Sequence, residues 1–404
     1  MIKAAILGYG TIGSGVAKIF WDAKEQLKTR AGEEIELKYV LDLREFPGDP
    51  AEKVLVHDFD VILKDDEVKV VVETMGGTRP AYQFVKSALE SGKSVCTSNK
   101  ELVAAHGAEL LKIAREKSVN FFFEASVGGG IPIIRPLNEC LTVDYVEKIS
   151  GILNGTTNYI LTKMTEDGSD FASVLKEAQE KGYAEKNPEA DVEGYDACRK
   201  IAILTSLAYG KQLDFDKIYT EGITKITDVD IRYAKAMGAK IKIFGTSLKQ
   251  DGRVYAMVSP VMIKSENPLY NVNDVFNGIF VKGNYLGDVM FYGKGAGSLP
   301  TASAVAADVV AAVKSMGSTV PMLWSEEKLE LADFNDLKNR FFVRLSGSAA
   351  ENAAKVKEAF GEVEAVDAGV SGEYAFVTGK ISEGTFKEKA EGFSNLVSRI
   401  RADF

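Results

Sequence analysis

Histidine and cysteine are scarce in this sequence of 404 residues, and the scarcity limits the chemistry that it can carry. There are two histidines, His57 and His106, so an enzyme that moves protons would have to rely on lysine, tyrosine or carboxylates. The three cysteines, Cys96, Cys140 and Cys198, are far apart and show no Cys-x-x-Cys spacing. They indicate neither a disulfide framework nor a zinc site, and we expect a reducing, cytoplasmic setting.

An excess of positive charge and long apolar runs are also missing. The net charge of -9 argues against a basic surface that binds nucleic acid. No apolar run reaches the roughly 20 residues that a membrane span needs. The N-terminal apolar run ends in glycines rather than in a cleavage site, so it is predicted to be a first strand. The length and the 46% of hydrophobic residues are typical of a soluble globular protein with two or three domains.

A glycine turn stands between the first predicted strand and the first predicted helix. Residues 2–7 form a short apolar run, Gly8-Tyr9-Gly10-Thr11-Ile12-Gly13 follows, and apolar residues then recur with a helical period. In a dinucleotide-binding turn the glycines allow a tight bend, the approach of a pyrophosphate and close packing of helix on strand. We therefore predict a dinucleotide site, although such a turn also occurs in other α/β proteins.

The second predicted strand, residues 35–41, bears on the choice of cofactor. It is followed by Asp42-Leu43-Arg44. Asp42 could accept from the ribose 2′-hydroxyl of NAD, whereas Arg44 could pair with the 2′-phosphate of NADP. The choice stays open, and Arg44 could equally be a solvated loop charge.

Predicted strands and helices alternate as far as residue 124, which predicts a doubly wound parallel sheet. Ligands of such sheets lie beyond the carboxyl ends of strands, and Lys100 follows one of these ends. It is a candidate functional residue, or else a surface lysine at a helix start. The loop 125–132 holds three consecutive glycines, so it is either a hinge between domains or a loop whose carbonyls ligate a hard cation.

The second half of the chain mixes helices with strands and predicts an α+β domain. Strands over 239–248, 253–260 and 284–292 are expected to form one antiparallel sheet. The hydroxyls and amides of 154–158 open a helix, a natural place to hold a carboxylate. Asp196 lies four residues before Lys200, so the two would share one helix face. A lone pair of this kind is more often an ordinary surface ion pair than a proton-transfer unit.

With these pieces placed, the chain resembles the homoserine dehydrogenase family over essentially its whole length. The specific match is the family signature, which is met without departure at Ala178, Gly182, Tyr183, Ala184, Asn187, Pro188, Asp191, Val192, Gly194, Asp196 and Lys200. The resemblance implies the reversible oxidation of L-homoserine to L-aspartate 4-semialdehyde with NAD or NADP, a step in threonine and methionine biosynthesis. One departure is Leu41, where many members carry an arginine that grips the 2′-phosphate.

The resemblance also implies roles for single residues. Lys200 would be the acid–base group and Lys100 would lie beside nicotinamide and substrate; which of them carries the proton stays open. The implied substrate-binding residues are Glu185, Asp196, Asp191, Thr157, Gly155 and Thr156. The implied cofactor-binding residues are Gly8, Gly10, Thr11, Ile12, Gly13, Asp42, Arg44, Thr74, Ser98, Lys100 and Gly295. Backbone carbonyls of Glu124, Val127, Gly129 and Ile131 correspond to a sodium site.

The tail is expected to be a ferredoxin-like βαββαβ module, and it is similar to an ACT domain. That similarity implies a homodimer or homotetramer and an amino-acid effector such as threonine, although the tail lacks the Asp-x-Pro-Gly turn of such domains. The predicted domains are a Rossmann-type dinucleotide-binding domain, a substrate-binding and dimerisation domain, a linker and the ACT-like module. Their residues are 1–130 completed by 300–318, 131–299, 319–337 and 338–404.

Two other functions are compatible with parts of the sequence. An acylating semialdehyde dehydrogenase needs a thiolate nucleophile, and Cys140 is the candidate because it follows the glycine loop. A nucleotide-binding amino-acid sensor would use the glycine turn and the tail without catalysis.

Overall fold

The computed structural model describes residues 1–404. Its strands are β1 Ile2–Leu7, β2 Ile35–Leu41, β3 Leu55–Val56, β4 Val68–Glu73, β5 Ser94–Thr97, β6 Phe121–Phe122, β7 Val146–Ile152, β8 Lys211–Gln212, β9 Tyr219–Thr220, β10 Lys240–Gln250, β11 Arg253–Ile263, β12 Phe276–Gly283, β13 Gly287–Lys294, β14 Ser325–Lys328, β15 Lys338–Ser346, β16 Glu364–Val366, β17 Glu373–Val377, β18 Ile381–Ser382 and β19 Leu396–Asp403. Its α-helices are α1 Thr11–Asp22, α2 Lys24–Ala31, α3 Phe59–Leu63, α4 Ala81–Glu90, α5 Lys100–Glu116, α6 Gly155–Asp167, α7 Phe171–Glu180, α8 Glu189–Val192, α9 Tyr195–Tyr209, α10 Asp228–Ala236, α11 Ser298–Lys314, α12 Ala349–Phe360 and α13 Glu383–Ala390. None of these helices has both the length and the apolar character that a bilayer crossing requires.

The chain forms two compact units. The first contains residues 1–145, 202–216 and 293–329, and the second contains residues 146–201, 217–292 and 330–404.

The first unit is built on a six-stranded parallel sheet in the order β3-β2-β1-β4-β5-β6. This is the strand order of a dinucleotide-binding doubly wound sheet, so the predicted fold class is confirmed. Strand β4 is almost entirely buried because it lies between β1 and β5. Leu7, Glu73 and Thr97 stand side by side at the carboxyl ends of these three strands. The loops that follow them therefore meet at one edge of the sheet.

Small residues let α11 lie close to α1 in the first unit. A Cβ added to Gly15 would lie 2.7 Å from the Ser298 hydroxyl and 3.0 Å from the Ala302 methyl group. The stretch predicted as a linker, 319–337, contains β14, which pairs with β8. Its Trp324 is 1% exposed and packs against Gly107, where a Cβ would lie 2.7 Å from the indole ring.

The second unit is built on a mixed sheet in the order β13-β12-β7-β10-β11-β19-β15-β17-β16. The three predicted strands lie in this one sheet, and pairing is antiparallel from β12 to β11. The sheet as a whole is mixed because β19 joins β11 in parallel. The sequence analysis also missed β12 and began β13 too early. Asn277-Gly278 is a strong turn signal, yet it lies inside β12, and the chain turns at 284–286 instead. Gly278 is required there because a Cβ would lie 2.9 Å from Leu269 and Val272.

The tail has the predicted βαββαβ order, and its strands lie side by side as β19-β15-β17-β16. This ferredoxin-like module extends the sheet of the second unit instead of standing apart from it. Two buried arginines bind it to the rest of that unit. Arg344 pairs with Asp230 of α10 at 2.7 Å, and Arg401 pairs with Glu221 at 2.8 Å.

Candidate active site

The glycine turn after β1 lines a cavity of about 480 Å³ in the first unit. Gly8 has φ +93°, which favours glycine, and a Cβ on Gly13 would collide with the Gly8 carbonyl oxygen. Gly10 has open space where a Cβ would stand. No side chain caps α1, so the N–H groups of its first residues, Thr11 and Ile12, are available to an anion. The turn therefore fits a pyrophosphate of a dinucleotide.

Asp42 and Arg44 lie together on the wall of this cavity. Arg44 donates to both carboxylate oxygens of Asp42 at 2.9 Å, and its guanidinium lies over the Phe46 ring. The guanidinium holds the pKa of the Asp42 carboxyl well below its usual range. His57, which the sequence analysis did not assign to the site, also lines the cavity, and its Nδ1 lies 2.7 Å from the Asp42 carbonyl oxygen. A ribose hydroxyl or phosphate would have to share or break the Asp42–Arg44 pair.

The loops after β4 and β5 reach the same edge as the glycine turn. Thr74 Oγ1 donates to the Gly8 carbonyl at 2.8 Å and so ties the β4 loop to the turn. Ser98 follows β5, and Lys100 is the first residue of α5. The α5 N-cap is Asn99, whose side chain accepts from the Leu102 amide at 3.1 Å. The structure thus brings Thr74, Ser98 and Lys100, which were predicted to bind the cofactor, to one edge of the sheet because the three strands end in register.

The 125–132 loop is anchored by the buried side chain of Glu124. Its carboxylate accepts from the amides of Ile133, Ile134 and Arg135 at 2.6–2.9 Å. Burial raises the pKa of the neighbouring Asp308, which accepts from the Glu124 amide, to about 8. The Glu124 side chain is therefore engaged inside the protein, and only the carbonyl oxygen of this residue suits the predicted ion.

Two glycine loops pack against each other beside Glu124. A Cβ on Gly129 would collide with the Gly295 carbonyl, and the Gly130 amide donates to the Lys294 carbonyl at 3.1 Å. No group of three or more His, Cys, Asp or Glu residues is arranged to hold a metal ion. A cation at this loop would have to be held by main-chain oxygens, which is the donor type of the predicted ligands. Val127 and Ile131, the other two predicted ligands, are buried in the same loop.

Asp196 and Lys200 form a buried ion pair near the start of α9 in the second unit. The Lys200 ammonium donates to Asp196 Oδ2 and to the Leu153 carbonyl, both at 2.7 Å. The side chains are 10% and 3% exposed for Lys200 and Asp196, respectively. The predicted common helix face is confirmed, and the pair is buried instead of lying at the surface. A buried ammonium interacts more strongly with charge on a substrate oxygen than an exposed one does.

Asn154 links this ion pair to the start of α6. It is the N-cap of α6, because its Oδ1 accepts from the Thr157 amide at 2.9 Å. Its Nδ2 donates to Asp191 Oδ1 at 2.7 Å and to Asp196 Oδ2 at 2.9 Å. The sequence analysis named the 154–158 cluster but gave Asn154 no role of its own. An asparagine directly between a strand and a helix was the available signal.

The remaining predicted substrate residues are less tightly connected. Thr156 Oγ1 donates to the Tyr183 carbonyl at 2.6 Å, which ties α6 to the 182–188 loop. Gly155 opens α6. The Glu185 side chain is exposed, and its carbonyl accepts from Gln179 at 3.0 Å. The structure therefore groups Asp191, Asp196 and Lys200 with α6 but gives Glu185 no hydrogen bond to that group.

Two family models match this chain. Residues 8–124 match a model described as the NAD binding domain of homoserine dehydrogenase, and residues 132–310 match a model described as homoserine dehydrogenase. A homoserine dehydrogenase of Bacillus subtilis is 43% identical over 318 residues, which are 78% of this chain and 73% of that protein.

Solved structures of the same family are similar over most or all of the chain. The crystal structure of a homoserine dehydrogenase from Thiobacillus denitrificans has a TM-score of 0.89 and 33% identity, and the match covers 100% of this chain and 98% of that one. A hyperthermophilic archaeal homoserine dehydrogenase in complex with NADPH has a TM-score of 0.67 and 27% identity, over 80% of this chain and 99% of that one.

Proposed function

This chain belongs to the homoserine dehydrogenase family, and we propose that it interconverts L-homoserine and L-aspartate 4-semialdehyde with Lys200 as the acid–base group. It is an NAD(P)-dependent oxidoreductase of amino-acid biosynthesis. The observation that carries the proposed role is the buried Asp196–Lys200 pair, which Asn154 joins to the first turn of α6.

The first unit would hold the cofactor. Once bound, NAD(P) would supply the hydride chemistry of the reaction. The glycine turn at 8–13 would bind the pyrophosphate, and Asp42 and Arg44 would bind the adenosine ribose. Thr74, Ser98, Lys100 and Gly295 would contact the nicotinamide end. The open space at Gly10 and the cavity that continues to Asp42 support this placement.

Lys200 would move the proton. During aldehyde reduction its ammonium donates a proton from Nζ to the developing alkoxide oxygen, and during oxidation Nζ takes the hydroxyl proton back. Asp196 and the Leu153 carbonyl hold Nζ from two sides, which fixes the direction of the side chain. Lys100, at the start of α5, would polarise the carbonyl or orient its neighbours.

The first turn of α6 and the acidic residues beside it would bind the amino-acid part of homoserine. Carboxylates suit its ammonium group, and Asp191 and Asp196 are held together by Asn154. The helix N-terminus, with Gly155, Thr156 and Thr157, suits its carboxylate. We assign Glu185 a weaker role in ammonium binding, because its side chain is exposed.

The remaining assignments are proposals of the same kind. Carbonyls of Glu124, Val127, Gly129 and Ile131 would hold a sodium ion. Residues 1–130 with 300–318 would form the cofactor-binding domain and 131–299 the substrate-binding and dimerisation domain. The ferredoxin-like topology of the tail supports an ACT-like role for 338–404, in an oligomer that responds to threonine or another amino acid.

An assay of the purified chain tests the proposal. Homoserine and either NAD or NADP should yield reduced cofactor, and the aldehyde should consume it. The absence of homoserine-dependent reduction with both cofactors would refute the proposed reaction. Neither a thiolate-dependent acylating enzyme nor a non-catalytic sensor is favoured. Cys140, the candidate nucleophile, is exposed at the end of a π-helical turn.

A further inference from the structure

Glu73 is a buried carboxyl group to which the proposed reaction assigns no role. It is the last residue of β4 and is 0% exposed. Burial raises the pKa of its carboxyl group. Its neighbours in the sheet are Leu7 and Thr97, the last residues of β1 and β5. A carboxyl group in such a place is costly unless hydrogen bonds compensate for the lost water.

The Glu73 carboxylate accepts hydrogen bonds from two different loops. Oε1 accepts from the amides of Met75 and Gly76 at 2.8 and 3.3 Å. Oε2 accepts from the Thr97 hydroxyl at 2.6 Å, and Asn99 Nδ2 approaches Oε1 at 3.5 Å. One carboxylate therefore joins the loop after β4 to the loop after β5.

These contacts continue to the residue where α5 begins. The Thr97 hydroxyl that donates to Glu73 also accepts from the Asn99 amide at 2.9 Å. Asn99 in turn donates to the Gly77 carbonyl at 2.6 Å and caps α5 through the Leu102 amide. Lys100 is the next residue after this cap. The start of α5 is thus connected to Glu73 through Thr97 and Asn99.

The loop after β4 has little restraint of its own. Gly76 and Gly77 both have positive φ angles, +77° and +66°, so two consecutive residues lack the restraint that a side chain provides. The loop touches the glycine turn, because a Cβ on Gly8 would lie 2.9 Å from Met75 Cγ. A shift of the loop would therefore also displace the glycine turn at the pyrophosphate end of the cavity.

We propose that Glu73 is a positioning residue that holds the 74–77 loop and the start of α5 in place. It acts through Met75, Gly76 and Asn99, and thereby places the nicotinamide end of the cofactor site and Lys100. The roles of these segments rest on the proposed function. A glutamate suits the task because its two oxygens accept from both loops at once. Glutamine would present an N–H group to a hydroxyl that now donates.

The test uses Glu73→Ala, Glu73→Gln and a matched control, Glu109→Gln. Glu109 is a partly buried carboxylate on α5, the helix that Lys100 begins, and it accepts from Tyr82 and Lys86 at 2.8 Å, outside the three loops. The first readout is hydrogen–deuterium exchange of the cofactor-free proteins. Loss of the carboxylate should speed exchange of the Met75, Gly76 and Leu102 amides at least about tenfold, as for a locally opened segment. Glu73→Gln should recover part of this protection, and Glu109→Gln should match the unaltered chain.

The second readout separates positioning from a merely structural role. In Glu73→Ala, the Kd for NADPH and the KM for the cofactor should rise about tenfold, and kcat should fall by a similar factor. The KM for homoserine should change less than about twofold, since Glu73 touches no proposed substrate residue. Loss of stability alone would leave these constants unchanged for the folded fraction.

The outcomes separate this inference from the proposed reaction. If Glu73→Ala does not fold, both the exchange rates and the cofactor constants are measured on Glu73→Gln instead. Unaltered exchange at the three amides together with an unaltered Kd for NADPH would overturn the positioning role. A chain that does not oxidise homoserine would refute the proposed reaction, while exchange and NADPH binding would still decide the role of Glu73.

Discussion

Two lysines are buried in the second unit, and they differ in the charge of their partners. Lys200 donates to the Asp196 carboxylate at 2.7 Å. Lys242, which is 1% exposed near the start of β10, donates to Asn158 Oδ1 at 3.0 Å and to the Val272 carbonyl at 2.6 Å, both neutral acceptors. The same helix serves both lysines, because Asn154 and Asn158 of the α6 start contact the two sites.

The comparison shows that a pKa near neutrality does not by itself identify a functional lysine. Burial lowers the pKa of Lys242 to about 7, and Lys240 adds repulsion, while Asp274 and Glu166 oppose the shift. Yet Lys242 lies within a sheet and secures the 272–276 segment beneath α6. Lys200 stands at the start of a helix beside two carboxylates. Position beside groups that can bind a substrate is the stronger criterion.

The largest expected effect is a loss of turnover on substitution of Lys200. A similar loss on substitution of Lys242 would contradict the comparison. Lys200→Ala should lower kcat by about 100-fold or more, a typical contribution of a positioned acid–base group. Lys242→Met should retain kcat within about tenfold, because its hydrogen-bond partners include none of the proposed substrate residues. Both variants are assayed by cofactor absorbance at a temperature where both are folded. A loss of kcat in Lys242→Met that exceeds the loss in Lys200→Ala would contradict the assignment of Lys200 as the acid–base group.

Removal of the carboxylate partner tests how much the burial of Lys200 matters. Asp196→Asn leaves a buried ammonium without its carboxylate, so the free energy of unfolding should fall by about 3 kcal/mol. Asp22→Asn is the matched control, because it removes the partner of Lys18 in another i,i+4 pair whose side chains are 61% exposed. That variant should lose less than about 0.5 kcal/mol. Urea unfolding measures both, and equal losses would show that burial is irrelevant here.

The pH dependence of stability sharpens the contrast for Lys242. Its pKa is about 7 in the folded chain and 10.5 ordinarily, so between these values the unfolded chain holds the extra proton. Stability therefore rises with pH across this window, by up to about 1.4 kcal/mol per pH unit. Lys242→Met removes this contribution. The free energy of unfolding of the unaltered chain should therefore rise relative to that of the variant from pH 7.5 to 9.5. Parallel stability profiles would show that Lys242 does not titrate in this range.

The smallest effect concerns the pair of Asp42 and Arg44 in the first unit. The Arg44 side chain is 62% exposed, so its pair with Asp42 can open at little cost. Arg44→Ala should raise the KM for NADPH about tenfold relative to that for NADH, since a charged hydrogen bond to the 2′-phosphate is lost. Asp42→Asn should shift the ratio of the two constants in the opposite direction. A ratio that neither substitution changes would remove this pair from cofactor choice.

Part of the site could be predicted because it depends on neighbours along the chain. The glycine turn at 8–13 and the common face of Asp196 and Lys200 both follow from local pattern and were confirmed. Strand β12 was missed because a local turn signal was overridden by pairing with β7. The role of Asn154 was missed because its partners lie 37 and 42 residues away.

The sequence by itself determined the glycine turn at 8–13 and the common helix face of Asp196 and Lys200, because backbone sterics and the 3.6-residue helical period act over a few residues. Tertiary structure alone decided that Lys200 meets a carbonyl 47 residues earlier, and that Glu73 lies between two loops. It also decided which lysine keeps a carboxylate and which loses its charge near neutral pH. Burial and distant partners set these properties, and both arise only when the strands take their places in the sheets.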